Sequence, residues 1–285
     1  MRRNFAQILK EAQIDIKAEY QKLYGMLYDR SIQVSNTKRI SAYDEISDYF
    51  VNFYFRGTCL SINEFNDIHG FHFEKEPANF NIDHLISLCE YIYNMLMAYQ
   101  GVVGYQYGIP QPLPINIQFY IAQILQVINA IGYMQTTLEG FIVFVEKSPE
   151  AIAVAESNLI PANLSYKLIS YNHHSIKGQL DEKKNTLLQF ASILEGKRKL
   201  LKAADTNLEK ELFYLFNNLD LRHNNTDPEN DSKYNNVVAQ MPTDELEKWY
   251  DETYQMCLLA ILQLEHVERK NSLKNLHALI DKPTQ

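Results

Sequence analysis

A cation, an imidazole and two amides stand side by side at Arg222-His223-Asn224-Asn225, directly after an apolar run that ends at Leu221. Pro228 stops that run from continuing as a helix. The segment LDLRHNNTDPENDSKYNN (219–236) therefore reads as a loop between two helices, with its polar residues at the mouth of the pair. An arginine grips a phosphate through two parallel N–H bonds, and a histidine exchanges protons near neutral pH. Metal-free RNA cleavage needs both functions. A base takes the 2′-hydroxyl proton, and a cation offsets the charge that grows on the phosphate. The same residues also have a plainer use. An arginine at a helix C-terminus offsets the exposed carbonyls, and asparagines end helices and make turns.

Other clusters are weaker. His173-His174 sit in YNHHSIKG, ahead of a helix. Adjacent imidazoles point in different directions and chelate one metal poorly, but either could supply an imidazole to the site by folding against the Arg222 loop. The alternative is a solvated turn leading into the helix. His69, His72 and Glu74 (HGFHFE) resemble a metal half-site. Zinc needs three or four ligands, so a structural role is expected there and no metal is assigned. The glycines of GVVGYQYG (101–108) fit neither phosphate-loop pattern. The basic run GKRKLLK (196–202) is either a solvated helix face or a stripe that follows phosphates.

The elements that must position these residues are mainly helical. Glycine (10) and proline (9) are scarce among 285 residues. Apolar spacing predicts helices over about 4–28, from a cap at Asp83 onward, over 115–138, 179–203 and 206–221, and after Pro242 with Thr243 as cap. FIVFV (141–145) reads as a strand, and SYKLISY (165–171) as its partner or as a helix. The expected fold is a mainly α helical bundle with a small β-hairpin excursion near 140–172. Two domains are expected, a helical region over 1–80 and the bundle over 81–285.

Charge and cysteine use narrow the function classes. With 27 Lys+Arg against 35 Asp+Glu the net charge is −8, which excludes a uniformly basic nucleic-acid coat protein but not a local basic patch. Cys59, Cys89 and Cys257 lie far apart, with no CxxC pair, so neither a zinc knuckle nor a disulfide framework is encoded. Ile115–Met134 is interrupted by Gln118, Gln123, Gln126 and Asn129, so no membrane span is expected. The start, MRRNFAQILKEAQ, lacks an apolar signal-peptide core, which makes the cytoplasm the expected location.

The blocks YNHHSIKG (171–178), LRHNNTDPEN (221–230) and ELEKWYDETYQMCLLAILQLE (245–265) resemble the HEPN superfamily of small helical bundles, over roughly residues 170–270. The HEPN signature is an Arg, four to six residues, then a His, between the last two main helices. The resemblance places Arg222 at the signature Arg and His223 at the polar position after it. The signature His falls at 227–229, where this chain has Asp227, Pro228 and Glu229. The resemblance implies a bacterial abortive-infection or toxin-like antiviral defence protein, dimeric, acting on RNA as an endoribonuclease without metal or organic cofactor. In that reading Arg222, His223 and Asp227 are catalytic, and Asn224, Asn225, His173 and His174 bind substrate. The alternative implied by the departure at 227–229 is an inactive helical module that binds a nucleotide, a nucleic acid, or a protein partner such as an antitoxin.

Overall fold

The computed structural model describes residues 14–106, 109–110, 113–229 and 232–281, and falls into two compact units, Met1–Glu146 and Lys147–Gln285. In the first unit α1 (Ile16–Tyr28) begins where the Asp15 carboxylate accepts from the N–H groups of Lys17 and Ala18, each at 3.0 Å. Such a side chain satisfies donors that the first helical turn leaves open. The remainder of the helix predicted over 4–28 lies outside the described residues. Residues 31–41 form a small turn in which β1 (Ile32–Gln33) pairs with β2 (Arg39–Ile40). Ser41 and Asp44 then cap α2 (Ala42–Tyr49) reciprocally.

α3 (Ile62–His69) lies where the sequence shows no clear period. Its ends are nonetheless marked: the Ser61 hydroxyl accepts from the Glu64 N–H at 3.1 Å, and Gly70 closes the helix at φ +74°. α4 (Ile82–Val103) is capped by Asn81, two residues earlier than the expected Asp83, which sits in the first turn. This helix is the centre of the unit. Leu85, Ile86, Cys89, Ile92, Leu96 and Tyr99 are buried on it, and α1 and α2 pack against it. The boundary expected at 80/81 is therefore corrected: it would cut α4 away from the helices that cover it, and the division lies at 146/147. After α4, β3 (Tyr105–Gln106) pairs with β4 (Ile109–Pro110) inside the predicted loop.

α5 (Ile117–Ala130) is shorter than the predicted 115–138. Gly132 turns the chain at φ +84°, and β5 (Tyr133–Leu138) pairs antiparallel with β6 (Phe141–Glu146), Leu138 opposite Phe141. Tyr133, Thr136 and Thr137 favour a pleated strand over a helix. Glu139 and Gly140 join the strands with φ +52° and +88°, as the two-residue type I′ turn requires. The exposed edge of β6 is held by α4: the Asn94 amide donates to the Ile142 carbonyl at 2.7 Å and its carbonyl accepts from the Ile142 N–H at 2.9 Å. The β excursion is thus at 133–146. A Cβ on Gly140 meets no atom within 4 Å, so only the backbone penalty applies. Gly140→Ala is expected to lower the unfolding free energy by about 1–2 kcal/mol, read by urea denaturation.

The second unit is a helical bundle. It contains α6 (Pro149–Ala155), α7 (Ala162–Ser170), a 3₁₀ turn at His174–Ile176, α8 (Leu180–Ala204), α9 (Thr206–Asn218), the short α10 (Asn236–Ala239) and α11 (Thr243–Ile280). SYKLISY is resolved in favour of helix, since it falls almost entirely in α7. Pro242 rather than Thr243 holds the cap position of α11. The core interleaves Leu187, Phe190 and Leu194 of α8, Leu212, Phe213 and Phe216 of α9, and Tyr250, Tyr254 and Ile261 of α11. Tyr254 stacks on Tyr171 at 4.0 Å between ring centres and donates its hydroxyl hydrogen to the Leu168 carbonyl at 2.7 Å. Among the described residues no helix is long and apolar enough to cross a membrane.

Candidate functional site

The loop after α9 is built around two side chains that hold each other. Asp220 adopts φ +53°, a conformation tolerated by Asp and Asn because their side chains bond locally. Its backbone N–H donates to the Asn225 side-chain carbonyl at 3.0 Å, and the Asn225 N–H donates to the Asp220 carboxylate at 2.9 Å. The other Asp220 oxygen accepts from Lys184 Nζ of α8 at 2.8 Å. Asn225 is buried, and its amide nitrogen donates to the carbonyls of Asn217 at 3.2 Å and Lys233 at 2.8 Å. Both of its amide hydrogens and its carbonyl are thereby committed to the loop and to the last turn of α9. Asn225 organises this loop and presents no donor outward.

Arg222 leaves the loop and lies along α8. Its guanidinium donates to the Ala191 carbonyl at 2.9 Å and pairs with the Glu195 carboxylate at 2.5 Å. It also lies 5.2 Å from the ring centres of both Phe213 and Phe216. Arg198 faces the same Phe213 ring at 4.1 Å and donates to the Glu209 carboxylate at 2.6 Å. Glu209 is buried, so its charge requires this partner. Two arginines, two glutamates and two phenylalanines thus tie α8, α9 and the loop together. Planar guanidinium groups suit this combination of ion pairing and stacking.

The remaining predicted residues do not gather around that guanidinium. His223 is half-buried, and its backbone carbonyl accepts from the Asn225 N–H at 2.8 Å. Among the described residues its ring makes no hydrogen bond to Arg222, Asp227 or Glu229. Asp227 accepts from the Asn224 amide at 3.1 Å and from the Glu229 N–H at 2.9 Å, an Asx-type turn. His173 is buried, its Nδ1 lies 2.6 Å from the Ser175 hydroxyl, and its ring packs on His174 at 4.3 Å. That pair leads into the first turn of α8. The Arg222 contact at Ala191 is 11 residues further along, about 16 Å of helical rise. In the first unit, the ligand atoms of His69, His72 and Glu74 do not converge within one metal's reach.

Sequence reasoning missed one feature of this unit. Lys183 is buried at the start of α8 and its Nζ lies 2.7 Å from both Glu247 and Asp251 of α11. Tyr171 donates to the same Asp251 carboxylate at 3.0 Å. Burial and the neighbouring Asp251 push the Tyr171 hydroxyl well above its ordinary value. Burial alone would raise the Glu247 carboxyl, but the Gly178 N–H bond and the Lys183 charge outweigh it and hold Glu247 below its ordinary 4.5. The i to i+4 spacing of Glu247 and Asp251 was the available signal.

The basic run 196–202, expected as either a solvated helix face or a stripe that follows phosphates, opens on a 710 Å³ groove at the α8–α9 corner. Lys197, Arg198, Lys199, Lys202 and Lys210 line it with Glu195 and Glu209; Arg198 pairs with Glu209 and Arg222 with Glu195, so the charge of the four lysines is in excess of the carboxylates. The basic run 196–202 supplies four of the five cations; Lys210 joins only because α9 folds back. Such a surface attracts polyanions. Comparison with protein-family models, curated proteins and solved structures yields no match for this chain.

Proposed function

We propose that this chain is a HEPN-like helical protein of bacterial defence whose C-terminal unit holds RNA on the basic α8–α9 corner without cleaving it. One observation carries the non-cleaving half of the reading. The guanidinium that would face a scissile phosphate is committed to Glu195, Ala191, Phe213 and Phe216, with no imidazole bonded to it among the described residues. Cleavage needs a proton carrier within hydrogen-bond reach of the 2′-hydroxyl and a cation turned to the phosphate. Binding needs only a cluster of cations, which the Lys197–Lys210 groove supplies.

Fluorescence anisotropy with a labelled single-stranded RNA at several salt concentrations tests the binding half. Each phosphate contact on a single strand contributes a slope of about −0.7 in log affinity against log salt. The triple variant Lys197→Glu, Lys199→Glu, Lys202→Glu is expected to flatten the slope by about 2 and to abolish binding at physiological salt. RNA binding that is salt-independent, or unchanged in the triple variant, overturns the reading.

A further inference from the structure

In the first unit, aromatic rings from separate segments line one pocket of 440 Å³. Phe55 comes from the α2–α3 connection, Phe65 from α3, Phe71 from the turn after it, Tyr91 from α4 and Phe141 from β6. Gly70 builds the first wall. At φ +74° it turns the chain, the Phe71 N–H donates back to the Asn66 carbonyl at 2.9 Å, and the Phe71 ring stacks on Phe65 at 5.8 Å with 14° between the planes. HGFHFE thus supplies a ring wall rather than a metal half-site. Polar side chains fix the other walls. The Tyr91 hydroxyl donates to the buried Asn66 at 3.0 Å, Asn94 bonds both backbone groups of Ile142, and Glu90 Oε1 accepts from the Phe144 N–H at 2.7 Å. These bonds tie α4 to α3 and to β6, so the pocket is formed before a ligand arrives.

The walls say what fits. No lysine or arginine stands among the described lining residues, so a phosphate or carboxylate entering the pocket finds no cation. A saturated ligand gains only the area it buries here, whereas an aromatic one adds offset-stacked and edge-to-face contacts with the rings. Tyr54 carries the ring wall out to the surface: it is 76% exposed and stacks on Phe141 at 5.8 Å with 15° between the planes. Exposed apolar surface continuous with a pocket marks a binding site. An apolar cavity of about 150 Å³ holds one benzene, so this pocket has room for a fused ring system. We infer that it binds a flat, uncharged aromatic molecule of two or three fused rings. The inference is independent of RNA binding by the second unit.

Isothermal titration calorimetry of the full chain tests it with three probes that share one carbon skeleton: 2-naphthol, its saturated counterpart decahydro-2-naphthol, and the anion 2-naphthoate. 2-Naphthol is expected to bind about 10-fold more tightly than either of the others. Phe141→Leu keeps the pocket apolar but removes one ring, and should bring the two alcohols to within about threefold of each other. Val143→Trp fills the pocket from β6 and should abolish binding, with the far-UV circular dichroism of both variants matching wild type. Absence of 2-naphthol binding by the wild-type chain, equal affinity for the saturated alcohol or for the carboxylate, or an affinity for 2-naphthol unchanged in both variants overturns the inference.

Discussion

Replacing Asn225 with alanine is expected to lower the unfolding free energy by about 3 kcal/mol. The substitution deletes three hydrogen bonds of a buried amide and strands the Asp220 N–H and the carbonyls of Asn217 and Lys233. A buried polar group left without a partner costs about 1–3 kcal/mol, and water reaching a surface loop recovers part of the sum. Asn225→Asp keeps the shape but turns acceptor oxygen toward two carbonyls, so it should be at least as damaging. Urea denaturation followed by circular dichroism reads both. A residue serving only to bind substrate would leave the midpoint within about 0.5 kcal/mol of wild type.

Lys183→Met is the second large effect, an expected loss of about 2 kcal/mol at neutral pH. Removing one partner of a buried ion pair leaves uncompensated charge and commonly costs 3–5 kcal/mol. The lower figure applies because Asp251 is about half exposed and its charge is screened by solvent. The same cluster sets an acid limit. Glu247 titrates lower in the folded unit than its ordinary 4.5. Its contribution is therefore present above 4.5 and lost as the pH falls through the lower folded value. Wild-type stability should drop across that window, and Glu247→Gln, which lacks the contribution at every pH, should drop less. Parallel stability–pH curves for the two proteins would contradict this role.

The long amphipathic helices were legible because their apolar spacing is regular. α8 and α11 begin within one residue of where the periodicity and Pro242 place them. The failure at 131–138 is equally physical. Met134 and Leu138 continue a helical spacing, and only Gly132 and the Glu139–Gly140 turn, read together, convert the segment to a strand. α3 escaped notice because eight residues give too few turns for a period, although Ser61 and Gly70 mark both ends. At the candidate site the sequence put Arg222, His223 and Asn225 side by side but could not say where each side chain goes. Glu195 and Phe213, which hold Arg222, come from other helices, and such contacts carry no local signature. The inward turn of Asn225 depends on Asp220 taking a positive φ, which no spacing rule reports.

The claim that Arg222 is a structural cation rather than a reactive one is tested most directly by incubating the purified full chain with labelled total RNA in EDTA, alongside Arg222→Ala. Intact RNA with both proteins, together with a lower unfolding midpoint for Arg222→Ala, is the predicted result. It follows from the loss of the Glu195 and Ala191 contacts. Cleavage by the wild-type chain that disappears in Arg222→Ala would contradict the proposal and make the Glu195 pair a resting state that RNA displaces.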